Sequence, residues 1–320
     1  MSKKKQLFLA VVTAAALAAG LPGVAGAVAP PLSSVRVVAH FDQSALQMPE
    51  NIALEPDGSV DLSLSYSDQI ARVDTAGHTK VLATLPPPAD GGVNTPFSGQ
   101  QLITGLVRGS DGSLYTAYST GTADLTGIWR LTPSGSLTRV APLPVNTFAN
   151  GLALDETAGV MYATDSALSL IWRIPLRGGG AATVWADGPE LKGTAPEWFG
   201  ANGLKLHNGA LWAASMDQGL LLRYPIDCHG KAGAPQVRAT GLVGIDDFGF
   251  VGRTDTVLAA VNRSAEVALV RPDGTHTVVL TAADGLQNPT SVAVRGSTVY
   301  VTSAAYGGTD PALITARLDR

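Results

Sequence analysis

A chain of 320 residues with 15% charged side chains and a net charge of −4 offers no basic surface of the kind that binds nucleic acid. Its single cysteine, Cys228, excludes an internal disulfide and a Cys-ligated zinc site. The fold must be held by its core, for which a hydrophobic content of 45% is sufficient.

Residues 1–27 join Lys3, Lys4 and Lys5 to an apolar run of about a dozen residues from Leu7 and a small-residue stop at Ala25, Gly26 and Ala27, which is the build of a secretory signal peptide. A membrane anchor competes with that reading. The run, however, is shorter than the ~20 residues that span a bilayer, and Gly20, Pro22 and Gly23 interrupt it. We expect an exported chain whose mature part, 28–320, begins near Val28 and has no membrane association.

Beyond the leader, apolar and polar residues alternate over five to eight positions between clusters of Pro, Gly, Asp and Ser. Strands are expected at 51–54, 60–64, 69–73 and 79–83 in a first unit, and at 151–155, 160–165, 170–174 and 182–185 in a third. Pro56-Asp57-Gly58, Ser110-Asp111-Gly112 and Asn208-Gly209 are hairpin turns joining first to second strands. Six inner strands each open on an oxygen-bearing side chain: Glu50, Thr104, Asn150, Asn202, Asp246 and Thr290. The successive intervals are 54, 46, 52, 44 and 44 residues. A period of roughly 40–50 residues with four strands per unit marks a β-propeller. A sandwich pair does not predict six equivalent starts.

The expected fold is therefore all-β, a six-bladed propeller with four antiparallel strands per blade. Its blades fall near 47–85, 102–143, 149–186, 201–241, 244–282 and 289–319. The sixth unit supplies only three strands, so 35–41 from the N-terminal end should pair with it and close the ring. Two long connections, 86–99 and 187–201, should rim the point where the inner strands begin. The second carries Trp198 and Phe199, which either wall a pocket or pack over a blade.

Closure brings Glu50, Asn150, Asn202 and Asp246 to one axial spot. Two carboxylates and two amide oxygens form a donor set for a hard divalent cation, calcium first, with zinc or manganese as alternatives. Without a cation, two carboxylates there would force one pKa upward. His40, His78, His207, His229 and His276 sit at strand ends or turns without paired ligand spacing. Neither a Gly-x-Ser-x-Gly elbow nor a phosphate-binding glycine loop occurs.

The phasing resembles the six-bladed family of senescence marker protein 30, gluconolactonases and squid-type diisopropylfluorophosphatase, over about 35–318. The resemblance implies a catalytic divalent ion held by a Glu on the first inner strand, Asn on the third and fourth, and Asp on the fifth. Those positions are Glu50, Asn150, Asn202 and Asp246 here. Phe148 stands where the sugar-lactone enzymes commonly place an Arg, which suggests a less polar or different substrate. Asn51-Ile52 replaces the Gly-Pro often found after the family's Glu. Aligning Phe248 and Phe250 with Leu152 and Leu154 favours Asp246 as the axial acid, with Asp247 turned to the blade interior or rim.

The expected function is a secreted, metal-dependent hydrolase of a lactone or related ester, acting on a small molecule as a monomer. The ion would polarise the carbonyl, and Asp246 by preference, or Glu50, would take a proton from water. Thr104 or Thr290 would hold a second water. The alternatives are a binding or scaffold propeller with a structural axial ion, and a strictosidine-synthase-like enzyme without a metal.

Overall fold

Short alternating segments closed by Asp-Gly and Asn-Gly turns can bury one face only by stacking on a neighbouring sheet. That is the arrangement in the computed structural model, which describes residues 31–178, 180–195 and 199–319. The expected leader at 1–27 and Trp198 lie outside the described residues. The strands form six four-stranded antiparallel sheets, and the protein is an all-β, six-bladed propeller. The innermost strands are Pro49–Leu54, Leu102–Arg108, Ala149–Asp155, Ala201–His207, Ile245–Phe250 and Pro289–Arg295. In blades 1 to 5 the strands follow chain order outward. In blade 6 the outermost strand is Leu32–His40, which pairs with Ala312–Leu318.

Six apolar clusters fill the six seams between adjacent blades. Leu62 and Leu64 of blade 1 pack on Ala39, Phe41 and Leu313 across the closing seam. Leu258 and Val267 of blade 5 pack on Val292 and Ile314 of blade 6. Since every blade is covered on both faces, the ring is closed by burial as well as by the terminal strand pairing.

Each inner strand slips register against its partner at one place, between 49 and 51, 103 and 106, 149 and 152, 201 and 204, 245 and 248, and 289 and 291. These breaks bracket the six residues that the period picks out. A bulge re-aims the side chains it contains, and here it turns them toward the axis. Glycine follows the second, third and fourth of them. A Cβ at Gly105 would strike the Asn150 carbonyl, one at Gly151 the Leu204 amide, and one at Gly203 the Asp247 side chain. Close approach of neighbouring inner strands therefore requires glycine there.

Candidate active site on the propeller axis

Glu50, Thr104, Asn150, Asn202 and Asp246 line one cavity of about 330 Å³. All five are buried. Thr104 donates its hydroxyl to the Ala149 carbonyl at 2.6 Å. Thr290 does the equivalent, donating to the Pro49 carbonyl at 2.9 Å while its oxygen lies 2.8 Å from Thr302 Oγ1. Thr290 is not among the cavity-lining residues, and its hydroxyl stitches blade 6 to blade 1.

The two carboxylates are electrostatically strained. Burial pushes Glu50 up to about 7, opposed by the Tyr306 phenol and reinforced by Asp247. Burial also drives Asp246 well above the ordinary carboxylate range, helped by the charges of Glu50 and Asp247 and opposed by the amides of Asn262 and Asn202. The groups that act on Glu50 are Tyr306 and Asp247, and those that act on Asp246 include Glu50, Asp247, Asn262 and Asn202. Buried charge without a counter-charge is costly, so the site holds its acids in readiness for protons or a cation.

A second set of residues orients the first. Tyr306 donates to Glu50 Oε2 at 2.5 Å, and its hydroxyl also meets Ser65 Oγ at 3.1 Å. Asn150 Nδ2 donates to Ser166 Oγ at 3.3 Å, Asn202 Nδ2 to Met216 Sδ at 3.3 Å, and Asn262 Nδ2 to Asp246 Oδ2 at 3.1 Å. Ser65, Ser166, Met216 and Asn262 each stand directly after the second strand of their blade. The last three lie 14 to 16 residues beyond the axial side chain they serve. That offset repeats and was available in the sequence; Tyr306, further along the connection 304–311 of blade 6, was not.

Asp247 corrects the expectation that it faces the blade interior or rim. The bulge turns it to the axis as well, one layer below Asp246, where the missing side chain of Gly203 leaves it room. Lys205 Nζ reaches its two oxygens at 2.6 and 2.5 Å, while Asn51 Nδ2 and Ser291 Oγ donate to Oδ2 at 3.0 and 2.8 Å. Asp247 does not line the cavity.

Above the acids the wall is aromatic. Phe148 and Phe199 line the cavity, joined by Phe97, which the sequence did not single out. Phe97 comes from the connection 86–101 and Phe199 from 188–200, so both long loops reach the site. Phe148 is fixed from behind by Asp165, which accepts from the Phe148 amide at 3.1 Å and from Trp172 Nε1 at 2.9 Å.

The donor set fits a hard cation. The Asn202 Oδ1 atom is buried and has no partner, and the amide nitrogens of both axial asparagines are spent on neighbours, which leaves oxygen for a ligand. Among the described residues no three His, Cys, Asp or Glu side chains gather as a metal cluster. A cation here would rely on amide oxygens beside the two carboxylates, a mixture suited to calcium. A larger hollow, about 560 Å³, lies at the far end of blades 1 and 2. Its acid Glu55 is already paired with Arg72 at 2.7 Å and Arg108 at 2.9 Å, so that hollow lacks the uncompensated charge of the axial site.

No family model and no curated protein matches this sequence. Solved structures do. A gluconolactonase of Xanthomonas campestris aligns with TM-score 0.63 and 13% identity, over 89% of this chain and 89% of that one. Regucalcin of Agrobacterium tumefaciens, described as a calcium-binding protein, aligns with TM-score 0.63 and 16% identity, over 90% and 96%. A virginiamycin B lyase of Staphylococcus aureus aligns with TM-score 0.58 and 14% identity, over 89% and 99%. At these identities the likeness shows the fold, and the three carry different activities on it.

Proposed function

We propose that this protein is an exported, divalent-metal-dependent hydrolase of a lactone or related ester. The observation that carries the proposal is the meeting of the two buried acids Glu50 and Asp246, both with raised pKa, beside an unpartnered amide oxygen in one cavity. The gluconolactonase among the similar folds agrees with this reading. Glu50, Asn150, Asn202 and Asp246 would hold the ion, calcium in preference to zinc or manganese. When bound, it supplies charge compensation for the two acids and Lewis-acid polarisation of an ester carbonyl.

The remaining work falls to the chain's own groups. Asp246, oriented by Asn262, takes a proton from the attacking water. The water oxygen bonds to the acyl carbon, the ring or ester C–O bond breaks, and the proton passes to the departing oxygen. The product is a hydroxy acid, or an acid and an alcohol. Glu50 is held in one orientation by Tyr306. The cavity of about 330 Å³ above the acids leaves space for a small substrate, which favours catalysis over an ion that merely plugs the axis.

The test is hydrolysis of a lactone panel by purified protein, with and without chelator, for the natural chain, Asp246→Asn and Glu50→Gln. Chelator-sensitive activity that is lost in both variants supports the proposal. Activity indifferent to chelation and to Asp246→Asn overturns it.

A further inference from the structure

The walls of the axial cavity say more about the substrate than its floor does. Three phenylalanines from three consecutive connections meet over the acids. Ring centroids lie 5.6 Å apart for Phe97 and Phe148, 4.6 Å for Phe97 and Phe199, and 5.5 Å for Phe148 and Phe199. Phe97 has φ of 61°, a left-handed backbone that a bulky residue rarely adopts, and it remains 37% exposed despite touching both other rings. Strained backbone persists where the surroundings hold it, and such positions cluster at ligand clamps. Leu102 and Met216 extend the apolar surface. Among the described residues lining the cavity there is no Lys, Arg or His, and its polar side chains are carboxylates, amides, the Thr104 hydroxyl and the phenols of Tyr66 and Tyr306.

We infer that the site takes a lactone or ester whose alcohol-side carbon, next to the ring or ester oxygen, carries a compact alkyl or aryl group, and that it rejects polyhydroxylated sugar lactones. This inference rests on the hydrolase reading for the carbonyl, but its physical basis is separate. A sugar ring in the cavity would press several hydroxyls against Phe97, Phe148 and Phe199, where they lose their water and gain no partner. An alkyl chain or phenyl ring in the same place buries apolar area against three ring faces and edges. Among the described lining residues no positively charged side chain is present to hold a polyol, and the Tyr306 phenol is already engaged with Glu50 and Ser65. Phe148 accounts for part of this preference, and Phe97 and Phe199 complete the wall.

The experiment uses the purified full chain with calcium and the series δ-valerolactone, δ-hexalactone, δ-octalactone and δ-decalactone, set against D-glucono-δ-lactone. Binding of the matching δ-lactams, which are not hydrolysed, is measured in parallel by calorimetry. We expect kcat/KM to rise about fourfold per added methylene until the cavity is full, with the sugar lactone at least on the order of a hundredfold below the best alkyl lactone. Phe97→Ala should flatten the rise, lowering the ratio of δ-octalactone to δ-valerolactone. A thermal melt checks that this loop variant is folded.

Alkyl lactams that bind in order of chain length while no lactone is hydrolysed would keep the inference and remove the hydrolase reading. Hydrolysis with a flat series, or with the sugar lactone preferred, overturns the inference and leaves the hydrolase. Neither binding nor hydrolysis overturns both.

Discussion

Asp246 and Asp247 are consecutive residues on one strand, 5% and 1% exposed, and the protein treats their charges in opposite ways. Asp247 receives both contacts of the Lys205 ammonium and two further hydrogen bonds from Asn51 and Ser291. Asp246 has the amides of Asn262 and Asn202 as hydrogen-bonding neighbours, and shares its cavity with a second acid, Glu50. Compensated charge one layer down fastens blades 1, 4, 5 and 6 at the axis. Uncompensated charge above it is unfavourable for the empty fold, and is maintained only because the rest of the ring is stable enough to impose it. The lower layer is structural and the upper one is a site.

The contrast can be broken most severely at Asp246. Asp246→Asn should reduce hydrolysis by on the order of a hundredfold or more. The same change should raise the melting temperature of the metal-free protein, because it removes a buried charge. A variant that keeps its activity would mean that Asp246 is as structural as its neighbour.

The pH dependence of stability is the next largest effect. The folded-state pKa of Glu50, about 7, is raised from an ordinary value of 4.5. The folded protein therefore binds the proton more tightly than the unfolded chain does. The Glu50 contribution is fully present below about 4.5 and is lost as pH rises through about 7, a change of roughly 3 kcal/mol. Metal-free unfolding followed from pH 4.5 to pH 8 should show the decline, and Glu50→Gln should make it shallower by about this amount, the slope that remains coming from other raised acids such as Asp68 and Asp246. A decline of equal size in the natural chain and in Glu50→Gln would place Glu50 among the compensated acids.

Lys205→Ala tests the lower layer. Leaving Asp247 buried without its ammonium should cost about 2–3 kcal/mol in denaturant unfolding at neutral pH. That is modest for a buried pair because the Lys205 side chain is 27% exposed. Adding Asp247→Asn to that variant should recover most of the loss. The smallest effect is expected from Tyr306→Phe, about 1 kcal/mol for one hydrogen bond. Because the phenol lowers the Glu50 pKa, its removal should move the midpoint of the metal-free stability decline to higher pH.

Much of the site could be read before the fold was seen. Period and turn chemistry marked Glu50, Thr104, Asn150, Asn202 and Asp246, which line the cavity together. They also marked Thr290, which occupies the same place in its blade but spends its hydroxyl on the next strand. Phe148 was singled out by the family resemblance and Phe199 by its place in a long connection. Asp247 was placed on the wrong face, since strict alternation along a strand does not anticipate a bulge that turns two consecutive residues to one side. Phe97 escaped because its orientation depends on a left-handed residue inside an irregular connection. Tyr306 escaped for a similar reason.

What the chain determined by itself was the ring: alternation, hairpin turns and the recurrence of inner strands are local properties, and local properties are written in neighbouring residues. Which acids are neutralised and which are left exposed to a ligand was decided only by folding. The groups that settle it arrive from far along the chain, with Lys205 lying 42 residues and Asn51 196 residues from Asp247, and Tyr306 256 residues from Glu50. Charge acts through space, and in this protein the relevant space exists only once the ring has closed.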